Sequence, residues 1–379
     1  MVAAYNEVVI SVVRKIQVSN VQLFMVVIAT VIAYGHFVYV GLSFRAAGKD
    51  AWVSLILGFA VSSLIFHLRI KQALLHPHQS LVEYTMYVFG RWFGGLLSIV
   101  YLVFFLCIGA FTLKEVTSFL GLMYPNTPVM IFVCIELILI GWAARAGGEV
   151  MTRVIQLLLP ILVFMGFLVM IFSLKDKEPA KLLPIMTHPI PSILHGALMY
   201  VVIFSELILF SMFWKDARQM ERLPKQSWIT SLILFVMFIG PVTGPIMVFG
   251  EALCRLLPYP TYSEIQYIHL TGIFERMDVV GVFLWTMGSY MRVSVFTVGA
   301  VRVVADLVKS PNENLYSLPV TVVLGGITIS LLSTSRETMH QFLYTVYPMI
   351  AVGIGVGIPL LTAVVAWGRN RMKFEAQST

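Results

Sequence analysis

Apolar residues run through this 379-residue chain in long blocks, and most polar residues are gathered into the connectors between them. Ten blocks approach or exceed the roughly 20 residues that an α-helix needs to cross a bilayer. They cover 20–43, 51–68, 94–120, 128–145, 150–174, 193–214, 227–250, 278–305, 317–333 and 341–367, numbered here as spans 1 to 10. In hydrocarbon each segment must satisfy its own backbone hydrogen bonds, so the blocks predict helices. The alternation of a membrane β-barrel is absent. The pattern predicts an all-α polytopic membrane protein of about ten transmembrane helices. A segment over 1–19 precedes the bundle over 20–367, and a tail over 368–379 ends the chain.

Composition agrees. Charged residues make up 12% of the chain, against about 25% in a soluble domain, so a water-facing surface cannot be built from this inventory. The net charge of +7 suggests nucleic acid at first sight, but the basic residues collect in connectors on one side, and no nucleic-acid partner is expected. Val8 to Val13 is too short for a signal peptide, and Arg14 and Lys15 come after it instead of before it. Cys107, Cys134 and Cys254 have no metal-ligand spacing, and no disulfide framework is expected.

Most of the Lys and Arg, among them Arg69, Lys71, Arg91, Arg145, Arg153, Lys215, Arg218, Arg222, Arg302 and Lys309, lie on the side of the N-terminus. The excess predicts that both termini are cytoplasmic. Three connectors have character. Residues 69–92 hold His76, Pro77, His78 and an amphipathic run from Leu81 to Trp92, expected to lie in the cytoplasmic interface. Residues 175–192, with Pro179, Pro184, Pro189 and Pro191, predict an irregular outer loop. Residues 251–277, with Pro258 and Pro260 and an apolar-periodic run to Phe274, predict an outer loop with a short helix, able to cover a site.

An ionisable side chain at mid-membrane is costly and usually faces the bundle interior with a partner. Glu206, inside span 6, reads as a ligand-contacting or proton-accepting carboxylate. The plainer alternative is a structural carboxylate satisfied by hydroxyls or an arginine. Arg292, inside span 8, stays charged and needs a carboxylate or carbonyls nearby. It could hold a ligand carboxylate, pair with Glu206, occupy the place of a coupling cation, or form a purely structural pair. Glu136 in span 4 suits helix packing or a subunit interface better than chemistry. Lys114 and Glu115, near the outer end of span 3, are expected to snorkel or to pair with loop charges.

Span 1 carries Ala33-Tyr34-Gly35-His36. Gly35 permits a local break that would present backbone groups to a ligand, or simply lets two helices approach. His36 beside it is better read as a hydrogen-bonded buried histidine than as a titrating one. Close packing also accounts for Gly353, Gly355 and Gly357 in span 10. Gly240-Pro241 and Gly244-Pro245 predict kinks in span 7. No phosphate loop, zinc motif or Ser-His-Asp set occurs, so neither enzymatic activity nor a cofactor or metal is expected.

Several motifs fall at span boundaries: Gln22-Leu23-Phe24 with Gly35 further on, Ala47-Gly48-Lys49-Asp50-Ala51-Trp52, Tyr124-Pro125 with Thr127-Pro128, and Gly148-Glu149 with Arg153. The last is Phe274-Glu275-Arg276-Met277-Asp278, with Trp285 a little further along. In this order the chain, from Ile16 nearly to its end, resembles the permease-like (B) subunits of bacterial endospore germinant receptors, in the amino acid–polyamine–organocation superfamily. The resemblance implies a 5+5 inverted-repeat bundle of leucine-transporter type. It also implies a small-molecule germinant, often an amino acid, bound near the bilayer middle between spans 1, 3, 6 and 8.

The pocket candidates are then Tyr34, Gly35, His36, Tyr101, Phe105, Ser205, Glu206, Tyr290 and Arg292. Span 6 departs from the pattern in having no glycine or proline at its centre. The implied partners are a large membrane subunit and a lipoprotein, and the implied place is the spore inner membrane. A proton-coupled amino acid transporter and a germination-linked ion or water channel are the rival functions.

Overall fold

The computed structural model describes residues 18–77, 79–268 and 277–377. The first described helix, α1, covers Asn20–Tyr34 and opens on a reciprocal cap: Ser19 Oγ accepts from the Gln22 amide, and the Gln22 side chain accepts from the Ser19 amide. At Gly35 the hydrogen bonds widen into a π-helical turn, Gly35–Tyr39, before α2 resumes over Val40–Ala47. A side chain at position 35 would strike the Phe238 ring, so glycine is needed there for close approach. Gly48, at φ 53°, turns the chain into α3, Ala51–Leu75.

A second reciprocal cap, Ser80 with Glu83, starts α4, Leu81–Met123. Gly90 (φ 80°) breaks α4 into the expected interfacial piece and the span proper. Gly147 (φ 85°) likewise breaks α5, Val129–Phe172, into the two expected spans 4 and 5. Next come α6, Ile190–Ser205, a 3-10 segment Glu206–Met212, and α7, Leu223–Phe249. Short helices α8, Glu251–Leu256, and α9, Pro260–Tyr267, form the outer loop. The expected run on to Phe274, and the Phe274-Glu275-Arg276 motif, lie outside the described residues. The rest is α10, Met277–Val308, α11, Ser317–Leu331, α12, Arg336–Thr345, and α13, Tyr347–Val352, then a π turn Gly353–Gly357 and α14, Ile358–Gln377.

Among the described residues, seven stretches are long and apolar enough to cross a membrane, and two of them, Asn20–Leu75 and Val129–Asp176, each hold a glycine reversal and cover two expected spans. Met277–Val308 is of crossing length but carries the buried Arg292 and Arg302. The protein is thus an all-α, multi-pass integral membrane protein. Span 6, which lacks a central glycine or proline, is nevertheless interrupted at Glu206, and span 10 is interrupted at Gly353. The tail expected from residue 368 continues α14 to Gln377, and the segment over 1–17 lies outside the described residues.

The two halves correspond in order with opposite polarity. Each opens on a helix that breaks midway, at Gly35 and at Glu206. Each then places a short surface helix before its third span: Leu81 to Phe89 on the face where α1 begins (the near face), and α8–α9 on the opposite, far face. The near ends of the two broken spans are tied together. Val18 N donates to Asp216 O and Arg218 N to Val18 O, while Asn20 exchanges hydrogen bonds with the Gln219 backbone.

On the far face, Asp50 explains its motif. Its carboxylate is fully buried and accepts from the amides of Met186, Thr187 and His188 at 2.7, 2.9 and 2.9 Å, and it meets His188 Nδ1 at 2.8 Å. The α2–α3 turn therefore anchors the proline-rich loop.

Candidate functional site

The two broken helices meet at a buried ion pair. Arg292 of α10 is 0% exposed and Glu206, at the first position of the 3-10 segment, 1%. An Arg292 Nη2 hydrogen bond to Glu206 Oε2 joins them. The other two guanidinium nitrogens are engaged as well: Nη1 donates to the Thr30 carbonyl in α1, and Nε to Thr112 Oγ1 in α4 at 3.0 Å. The other carboxylate oxygen, Oε1, accepts from Tyr347 Oη at 2.6 Å and Tyr39 Oη at 3.3 Å. A buried charged pair is tolerated only when its spare donors and acceptors are satisfied in this way.

Aromatic faces close the cluster. The guanidinium carbon stands 4.8 Å from the Tyr34 ring centre and 5.0 Å from that of Phe296. Tyr34 Oη is buried without a hydrogen-bond partner. Beside the pair lies a cavity of about 10 Å³, lined by Val26, Val27, Thr30, Leu207, Leu209, Phe210, Phe213 and Val295.

The local sequence accounts for the geometry. The extra residue in each π-helical loop rotates the part of the helix downstream of it, which brings Tyr39 to the carboxylate. Span 6 has no breaker of its own. Its break is set from outside: a side chain at Gly355, in the π turn of the last span, would strike the Ser205 carbonyl, so that turn packs directly on the end of α6. Further along, Arg302 of α10 holds the other end of the 3-10 segment. It donates to the Met212 carbonyl at 2.9 Å, pairs with Asp216 at 2.6 Å and lies over the Phe213 ring.

The candidates divide into three groups. Tyr34, Glu206 and Arg292 share the cluster. Gly35 and Ser205 shape its backbone, with Ser205 Oγ turned back onto the Val202 carbonyl. Phe105 is buried against Phe296 beside it. The other three stand apart. His36 stacks edge-on to Phe238, its carbonyl accepts from Thr261, and its Nε2 is buried without a partner. That departs from the hydrogen-bonded ring expected. Tyr290 is half-buried, about 200° round the helix from Arg292. Tyr101 lines a separate cavity with Arg69.

Sequence reasoning missed Thr30, Tyr39, Thr112 and Tyr347. The two tyrosines carried a signal, because a phenol within an apolar block needs a partner for its hydroxyl.

Of the two alternatives for Lys114 and Glu115, the structure shows loop pairing and not snorkelling: they are 1% and 0% exposed, under the far-face loop. Glu115 accepts from Tyr259 Oη and His340 Nε2, each at 3.0 Å, so burial is supported by the loop and α12. Glu136 faces a cavity of about 350 Å³ between α5 and α10, with Oε2 buried and unpartnered.

Comparison with known proteins agrees with this architecture. The chain is 24% identical over 359 residues to spore germination protein XB of Bacillus anthracis, spanning 93% of this chain and 98% of that one. It is 26% identical over 365 residues to spore germination protein KB of Bacillus subtilis (strain 168), spanning 94% and 97%. Among solved structures it resembles Mhp1, a nucleobase-cation-symport-1 family transporter, with TM-score 0.64 at 13% identity over 89% of this chain and 76% of that one. It also resembles MhsT in complex with L-phenylalanine, with TM-score 0.63 at 11% identity over 90% and 89%. These likenesses show a shared transporter fold. The sequence pattern of the spore germination protein family matches residues 17–340, and the chain belongs to that family.

Proposed function

We propose that this protein is a germinant-receptor subunit that binds a small-molecule germinant, an amino acid in its simplest form, and signals germination to partner subunits. The observation that carries the reading is the Glu206–Arg292 pair at the meeting point of two broken helices. A zwitterion matches it charge for charge: its carboxylate suits Arg292 and its ammonium suits Glu206. Exchange of one set of partners for another keeps every buried charge compensated, which a neutral ligand cannot do. Because Glu206 heads the 3-10 segment and Arg292 belongs to α10, insertion of a ligand between them would shift the two elements relative to each other. Only a ligand that binds one arrangement better than the other moves that equilibrium.

In this reading both termini face the cytoplasm, the bilayer is the spore inner membrane, and a large membrane subunit and a lipoprotein read the shift. Proton-coupled amino acid transport through Glu206 is the second reading, supported by the transporter fold. Uptake of labelled amino acids into proteoliposomes separates the two. Saturable binding without accumulation supports the sensor, and gradient-driven accumulation overturns it in favour of transport. Conductance of the isolated subunit without germinant would instead support a channel.

A further inference from the structure

Arg69, in the last two turns of α3, is 8% exposed, and no carboxylate among the described residues lies within ion-pair distance of it. Its Nη2 is buried without a hydrogen-bond partner. Every other deeply buried arginine of the described residues is compensated, Arg292 by Glu206 and Arg302 by Asp216 and Glu313. Of the acidic groups on neighbouring elements, Glu83 caps Ser80, Asp216 pairs with Arg302, and Asp306 pairs with Lys215 at 3.6 Å. An arginine does not escape by losing its proton, so its charge must be met by a group beyond the described side chains.

The surroundings fit that need. Arg69 lines a cavity of about 20 Å³ toward the near face, room for one small ion. Tyr101 Oη and Gln79 Oε1, from residues in its wall, are buried and unpartnered. Tyr101 can donate its hydroxyl proton, and a rotated Gln79 amide presents its NH₂ group to the cavity.

We propose that this cavity is an oxyanion site, taking a phosphate group, free or carried by a lipid headgroup, on Arg69 with Tyr101 and Gln79 as further donors. The site is distinct from the Glu206–Arg292 cluster and does not depend on the germinant reading. It nevertheless touches the same moving part, because Ile208 and Ser211 of the 3-10 segment form one wall. An anion held there bears on the segment that Glu206 heads.

The test uses the full chain in detergent and in nanodiscs. Inorganic phosphate is titrated at constant ionic strength against chloride, with thermal unfolding and calorimetry as readouts. In parallel, native mass spectrometry tracks retention of phosphatidylglycerol through delipidation. Saturable stabilisation by phosphate supports a free anion. Retained phosphatidylglycerol, with no phosphate effect, supports a headgroup. Arg69→Gln should weaken the active arm by about tenfold or more while leaving the anion-free protein no less stable, since it removes an unpaired buried charge. Tyr101→Phe, which keeps the ring, should weaken it by a smaller factor and keeps the test valid if Arg69→Gln does not fold. Absence of both effects in the unmodified protein, or equal binding by both variants, overturns the proposal.

Discussion

Tyr347 Oη lies 2.6 Å from Glu206 Oε1, and this hydrogen bond joins the last span to the point where span 6 breaks. Tyr347 is buried and immediately precedes Pro348, so its backbone is fixed at the start of α13. The phenol therefore acts as a rigid donor aimed at a carboxylate that Arg292 holds from the other side. Glu206 is gripped by three spans at once, so its release would free several elements together.

Replacing Glu206 with Gln keeps the shape but leaves Arg292 charged and uncompensated in a buried site. Loss of one partner of such a pair costs about 3–5 kcal/mol, so Glu206→Gln should lower thermal stability in detergent markedly while membrane insertion persists. Arg292→Lys should recover only part of the wild-type behaviour, because an ammonium cannot reach Glu206, Thr30 and Thr112 together. Combining Glu206→Gln with Arg292→Met should be less damaging than the sum of the single changes. Strict additivity in that double-mutant cycle would show that the pair is not energetically coupled.

Gly353 and Gly355, on opposite sides of the π turn in the last span, give a paired test. A methyl group at Gly355 would strike the Ser205 carbonyl, whereas one at Gly353 meets nothing within 4 Å. Gly355→Ala should therefore destabilise the protein by about 1–3 kcal/mol, as overpacking does. Gly353→Ala should stay within about 0.5 kcal/mol of the parent. Chemical denaturation of the two variants side by side reads the difference. Equal stabilities would mean that the break in span 6 is not supported by the Gly355 contact.

Glu206 and Arg292 were legible in the sequence because a charge inside an apolar block must have a buried partner. Gly35 was legible too, since glycine at mid-span both weakens a helix and permits close approach. The break after Ser205 was not, because its cause lies about 150 residues away in Gly355, and a local reading of span 6 contains no trace of it. Tyr101 was missed by depth: it shares the α4 face of Phe105 but sits one turn nearer the near face, in the Arg69 cavity. Helical phase defeated Tyr290, which lies on the far side of α10 from Arg292. The burial of Lys114 and Glu115 was hidden for another reason: Tyr259 and His340, which make it tolerable, come from loop elements beyond the spans.

Asp50 should be among the residues least tolerant of change on the far face. Asparagine in its place retains one acceptor oxygen but presents an NH₂ group toward amides that already donate. Hydrogen bonds to a charged acceptor are worth about 1.5–3 kcal/mol each, so Asp50→Asn should loosen the loop 175–192. Hydrogen exchange at Met186, Thr187 and His188 should rise by at least about tenfold, with the Glu206 region less affected. Unchanged protection of those amides would remove Asp50 from the role of anchor.

The far-face loop should also carry a pH signature through Glu264 of α9, which pairs with Lys177 at 3.1 Å and packs on Gly244. Burial raises the Glu264 carboxyl above its ordinary value of 4.5, against the pull of Lys177. The folded protein then holds a proton that the unfolded chain has already released, and stability falls as pH rises from that ordinary value toward the folded one. The advantage of the parent over Glu264→Gln should therefore be largest in acid and shrink as pH rises above the ordinary carboxyl range. Melting curves for both proteins across that range provide the measurement. An advantage that grows with pH would show that the Lys177 pair outweighs desolvation and would reverse the assignment.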